Sequence, residues 1–231
     1  TMTGAYLGSD RYDIQHATKE LATEMKTPTQ EGMVRLKRLA SYLNGAPRLV
    51  QKFKRQSEHR WVSDCLPRSI GHRVDVDSDW AGDRRTRKST LCIVVRHGAN
   101  VIKTQVNAMK GISLSSGEAE YGAIVKGACQ GLGVQSMAGD WGLTLNVRIC
   151  SDSSAAIGIS NRLGLGPTRH LAVRHLWVQD KVKSKEIQLE KQDGKKNVAD
   201  LGTKIQPGPT IVNVMGRLGF GFERSPLHGA L

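Results

Sequence analysis

Apolar residues recur at spacings of three and four through the first part of the chain. In "DIQHATKELATEM" they fall at Ile14, Ala17, Leu21 and Met25, and in "GMVRLKRLASYLNG" at Met33, Leu36, Leu39 and Leu43. That spacing lines one helix face, so two amphipathic helices are predicted, interrupted at Pro28 and closed by Asn44-Gly45. From Gln56 to Arg73 no period survives and Pro67 intervenes, which predicts a linker. The period then falls to two. Val74 and Val76 alternate with acids, and "TLCIVV" and "VIKTQV" follow with the turn "HGAN" between them, an antiparallel meander of three strands. A long helical pattern runs from about Ser116 to Ala138. After it come the strand "NVRICSD", the short helix "SAAIGIS", the loop "GLGP", a helix over about Arg169 to Lys183, the strand "EIQLEK" and a helix around Asn197 to Lys204. The predicted order is β-β-β-α-β-α-α-β-α. Pro207 and Pro209 end it, and the residues after Met215 give no firm signal.

Composition adds a partner class. The chain has 231 residues, 39% of them hydrophobic, enough for one good core or a core with a smaller appended unit. Its net charge is +13, which points to a polyanion, and nucleic acid leads that class. Cys65, Cys92, Cys129 and Cys150 are scattered and lack the spacing of a zinc site or a disulfide framework, so a reduced intracellular chain is expected. No apolar run has membrane-spanning length, and "TMTGAYLGSD" lacks the regions of a signal peptide. Neither a membrane nor a small-molecule cofactor is expected as a partner.

Four acids stand where packing does not favour charge: Asp77 in the first strand of the meander, Glu120 early in the long helix, Asp152 at the end of "VRICSD", and Asp200 in the last helix. Singly, each has an ordinary role, a turn former or a complement to a helix dipole. Gathered in one pocket, they would repel one another unless a cation neutralised them. Mg²⁺ takes such oxygen ligands, and a pair of ions is the arrangement that hydrolyses phosphodiesters. Geometry alone leaves alternatives. Glu118 and Glu120 point about 200° apart on a helix, so only one reaches the pocket, and Asp75 and Asp79 share the strand face of Asp77, with Asp83 close by. The basic run "DRRTRK" reads either as a solvated hairpin turn or as a phosphate-positioning edge. Arg84, Arg85, Lys103, Lys110 and Arg169 are the candidate contacts. Trp80 and Trp177 read as core residues.

The segments "DSDWAGDRRTRKST", "SLSSGEAEYGA", "ICSDSSAAI", "TRHLAVRHLWVQD" and "NVADLGTK" together resemble the ribonuclease H domain of copia-type LTR retrotransposon Pol polyproteins. The upstream part, "GAYLGSDRYDIQHA" through "RLKRLASYLNGAPRLVQKF", is similar to the end of the adjoining reverse transcriptase. The resemblance covers about residues 4–206. It implies an α/β fold with a ribonuclease H-like mixed five-stranded sheet, the antiparallel meander plus two parallel strands, flanked by helices. It also implies a basic helical segment at 1–70, the ribonuclease H-like domain at 71–206 and a tail at 207–231. By the same resemblance Asp77, Glu120, Asp152 and Asp200 are metal-binding catalytic residues, with Glu120 favoured by "EYGA". The cofactor is Mg²⁺, with Mn²⁺ as a substitute. The implied partners are an RNA–DNA hybrid, whose RNA strand is hydrolysed, and the reverse transcriptase portion of the polyprotein, in a cytoplasmic particle or the nucleus. Two departures stand out. The family's Arg-Pro-Asp-Ile reads "RYDI", and in "RHLAVRHLW" an Asp becomes Ala172 and a His becomes Leu176, leaving His170 or His175 for that role. The alternative reading is a decayed copy that still binds nucleic acid.

Overall fold

The structure, a computed structural model, describes residues 2–54, 72–164, 166 and 176–223. The predicted linker therefore lies outside the described residues, except for His72 and Arg73, which already belong to a strand. So does the first part of the helix predicted from Arg169.

The meander forms as the alternation predicts. Strands β2 (His72–Ser78), β3 (Thr90–His97) and β4 (Asn100–Ala108) pair antiparallel, and β5 (Val147–Ser151) and β6 (Ile187–Lys191) add parallel pairings beyond β2. The sheet order is β4-β3-β2-β5-β6. This is the ribonuclease H-like mixed sheet that the sequence resemblance implies. A four-residue strand, β1 (Arg48–Gln51), precedes it in the chain.

Each face of the sheet carries its own core. Val74, Val76, Ile93 and Ile149 pack against Tyr121 and Ile124 of α4 (Ser116–Asp140). Two glycines let that helix come close: a Cβ at Gly127 would stand 2.5 Å from Val76 Cγ1, and one at Gly131 2.6 Å from Val147 Cγ1. Helices α5 (Ser154–Asn161) and α6 (Trp177–Lys183) complete this layer. On the opposite face Cys92 and Val94 meet Tyr12, Leu201, Met215 and Leu218.

The second core is made by segments the sequence set apart. Helices α1 (Met2–Gly8), α2 (Tyr12–Thr23) and α3 (Gln30–Gly45) form the N-terminal unit, and Thr29 caps α3 by accepting from Gly32 N–H. The "RYDI" stretch builds a clamp: Arg11 pairs with Asp13 at 2.7 Å and donates to Ala46 O, while Tyr42 donates to Asp13 Oδ2 at 2.8 Å. Tyr12, where the family pattern has proline, goes into the second core. The predicted last helix is split. Asn197 donates to Val76 O and accepts from Ala199 N–H in extended backbone, so a 3-10 turn at Gly194–Lys196 is followed by the short α7 (Asp200–Thr203).

Beyond Pro207, where no firm element was expected, the chain forms α8 (Gly208–Arg217) and β7 (Phe220–Glu223). Pro209 sits in the first turn of α8, where a missing N–H costs nothing, so the prolines open a helix. Strand β7 pairs antiparallel with β1, from Arg48 with Glu223 to Gln51 with Phe220. The two ends of the described chain thus close over one face of the sheet. They also guard its rim: β4 has no strand on its outer side among the described residues, and Gln51 Nε2 donates to Val101 O and Gln15 Nε2 to Thr104 Oγ1.

One buried polar group predicts a pH effect. His72, fully buried opposite His97, has no hydrogen-bond partner for either ring nitrogen among the described residues. Burial, with His97 adding to it, lowers its pKa to about 4. The folded state thus holds a neutral imidazole that the unfolded chain protonates below about pH 6.5. The stability from His72 is complete above that pH and is lost as the pH falls toward 4. Between pH 7.5 and 5, wild type is expected to lose about 2 kcal/mol more than His72→Phe in urea denaturation.

Candidate metal centre

The parallel pairing of β2 with β5 brings the C-terminal ends of both strands to the same edge of the sheet. Asp77 lies near the end of β2 and Asp152 immediately follows β5. Helix α4 starts beside them, held at its N-terminus by Ser115, whose hydroxyl accepts from Glu118 N–H. Asp77, Glu120 and Asp152 each offer an oxygen, and the three lie within 4.8 Å of one another.

The neighbouring acids face other work. Asp75 is buried between Arg73, 2.9 Å from it, and Arg96, 2.7 Å from it. Asp79 accepts from Thr90 N–H, and Asp83 accepts from Arg85 N–H, Thr86 N–H and the Thr86 hydroxyl. Glu118 accepts from Leu114 N–H at the helix start, whereas Glu120 accepts from Ser78 N–H on β2. Its second oxygen, Oε2, is buried without a hydrogen-bond partner among the described residues. Such an oxygen calls for a donor or a cation.

Charge is concentrated here. Burial, then the repulsion of Asp77 and Asp152, lifts Glu120 to about 8. Burial lifts Asp77 to about 7, opposed by the Thr203 hydroxyl it accepts from and reinforced by Asp200 and Asp152. Asp200 opens α7 and is ion-paired at 2.9 Å with Lys204, whose ammonium is also 3.9 Å from Asp77 Oδ2. The 3-10 turn closes the other side: a Cβ at Gly194 would come within 2.9 Å of Asp152 Oδ2. Thr203 and Lys204 were not singled out from the sequence, although they follow Asp200 by three and four residues in "DLGTK", the spacing that puts side chains on one helix face.

The predicted basic contacts are dispersed. Arg84 is exposed in the loop between β2 and β3. Arg85 in the same loop donates to Thr23 O and Thr27 Oγ1, so it ties the hairpin to α2. Lys103 donates to Gln130 on α4, and Lys110 lines a groove with Asn107, Gly122 and Lys126. Arg169 and His170 lie outside the described residues. Trp177 packs against the first core as expected. Trp80 does not: it is 54% exposed beside the metal-site strand, with its indole N–H donated to Ser113 O. It follows β2 into a turn that leaves the sheet, so the alternation of the strand no longer directs it inward. No described helix is long and apolar enough to cross a membrane.

No protein-family model matches the chain. The chain is 26% identical over 220 residues, 93% of its length, to the retrovirus-related Pol polyprotein from transposon RE1 of Arabidopsis thaliana. It is 27% identical over 205 residues, 85% of its length, to that from transposon TNT 1-94 of Nicotiana tabacum. It spans only 14% of either relative. Among solved structures it is similar to the ribonuclease H1 named LC11, at 13% identity and a TM-score of 0.41, over 57% of this chain and 91% of that one. The sheet order, and not this superposition, marks the fold. Through its sequence the chain is homologous to a stretch of copia-type retrotransposon Pol polyproteins.

Proposed function

We propose that the chain is the ribonuclease H part of such a polyprotein, a metal-dependent endoribonuclease that hydrolyses the RNA strand of RNA–DNA hybrids. The observation that carries this reading is the convergence of Asp77, Glu120 and Asp152, with Glu120 Oε2 buried and unpartnered. Three converging carboxylates suit a hard divalent cation, Mg²⁺ or Mn²⁺, and Asp200 borders the pocket as the fourth ligand. Ions bound there would supply an activated water and stabilise the departing 3′-oxygen.

The protein's own groups prepare the place. Ser78 N–H fixes one oxygen of Glu120, and the Thr203 hydroxyl fixes one of Asp77. The +13 chain attracts a polyanion by its exterior while the pocket keeps its negative charge. Arg84 and Lys110, both exposed, are candidate phosphate contacts, and the RNA strand would be told from DNA through its 2′-hydroxyls. Work beside the reverse transcriptase portion, in a cytoplasmic particle or the nucleus, fits this reading.

The test uses a labelled hybrid and the purified chain with Asp152→Asn beside it. Wild type is expected to cleave the RNA strand only when Mg²⁺ is present, and the variant is expected not to cleave. Mg²⁺ at about 10 mM should raise the melting temperature of wild type by about 2–5 °C and leave the variant unmoved. Hybrid binding without cleavage, and without that rise, would favour the decayed copy.

A further inference from the structure

Three of the four grouped carboxylates have oxygens close enough to share an ion, and the fourth is engaged by a different cation. Asp200 and Lys204 are four residues apart on one turn, acid first, the order in which such pairs attract best. The Lys204 ammonium is 2.9 Å from Asp200 Oδ1 and 3.9 Å from Asp77 Oδ2, so it occupies the side of the pocket between those two acids. Asp77 Oδ2 also accepts from the Thr203 hydroxyl. That oxygen is thus served twice, while Glu120 Oε2 has no hydrogen-bond partner among the described residues. The Lys204 side chain is 50% exposed, and its long stem can carry the charge into solvent without disturbing the core.

We propose that Lys204 is a tethered counter-cation: it fills the Asp77–Asp200 side of the metal-free pocket and competes with a divalent ion for it. One ion then binds readily at Asp77, Glu120 and Asp152, and a second binds weakly until Lys204 moves out. This inference rests on the metal-dependent reading above. The physical basis is like-charge repulsion. An ammonium and a divalent ion in contact with the same two carboxylates oppose each other, and water screens them only partly at a half-buried position. Asp200 is therefore a shared ligand, held by lysine at rest and released to metal.

The test is Mn²⁺ binding without nucleic acid, free ion being counted by electron paramagnetic resonance, for wild type, Lys204→Gln and Lys204→Arg. Wild type should bind one Mn²⁺ well and a second weakly. Lys204→Gln should bind the second about tenfold more tightly with the first little changed, and Lys204→Arg should resemble wild type. If Lys204→Gln and wild type give the same second-site affinity while the first ion binds, the counter-cation role is overturned and the metal reading stands. If wild type binds no Mn²⁺, and Asp152→Asn behaves identically, both are overturned.

Discussion

Asp77→Asn is expected to slow Mg²⁺-dependent cleavage of an RNA–DNA hybrid by about a thousandfold or more, and to make the metal-free chain more stable. The two effects have one cause. Asp77 is 1% exposed and shares its pocket with Glu120, Asp152 and Asp200. A bound cation supplies several kcal/mol to phosphodiester hydrolysis, and each 1.36 kcal/mol lost is a factor of ten in rate. Losing a ligand that reaches the ion from the central strand should therefore cost about three factors of ten. Without metal the same carboxylate is a burden, since burial and its neighbours have raised it to about 7. At pH 8 it must be held ionised among like charges, and the neutral amide removes that repulsion while keeping an oxygen for the Thr203 hydroxyl. In EDTA at pH 8 the variant should melt a few degrees above wild type, and with Mg²⁺ the order should narrow or reverse. A variant that cleaves normally, or melts lower in EDTA, would contradict this account of the pocket.

Tyr12→Ala is expected to cost about 3–5 kcal/mol in urea denaturation, as large a loss as single core truncations reach. Tyr12 is 1% exposed, lies 3.3 Å from Cys92 Sγ, and donates to Val198 O at 2.7 Å. Alanine would remove the ring from the second core and leave a buried carbonyl unpaired. Tyr12→Phe isolates the second loss, expected at about 1–2 kcal/mol. The variant also asks how the chain is partitioned. If the N-terminal helices and the sheet unfold as one body, the whole transition should shift. A second transition that Tyr12→Ala leaves in place would show residues 2–54 to be a separate unit.

Much of this was legible because strongly patterned elements announce themselves. The valines of β2 and the run in β3 gave the meander, and the long period of α4 gave the covering helix. The second core was harder to read. Strands β1 and β7 have four residues each, too few for a period to show, and they pair across almost the whole described chain. Helix α8 carries Ile211, Val214 and Met215 at helical spacing, with Leu218 at its C-cap, but its prolines resemble a stop signal when the first-turn position is not known. In the pocket, alternation put Asp75 and Asp77 on one face and could not separate them. What separates them is Arg96, which reaches Asp75 from the neighbouring strand. Likewise Glu118 differs from Glu120 because a capping turn claims it. Register and capping are three-dimensional facts, and spacing along one strand or helix does not contain them.

The glutamines at the rim of β4 have a consequence for crowding. A sheet edge with free carbonyls is a template on which another chain can lay a strand, most readily where the protein is concentrated. Gln15 and Gln51 reach that rim from the N-terminal unit, and the charge of Lys103 stands on the same strand. The stretch that carries Gln15 and Gln51 thus covers part of an edge that would otherwise be open to another strand. A copy that lost it would become sticky along β4 even with every acid of its pocket in place.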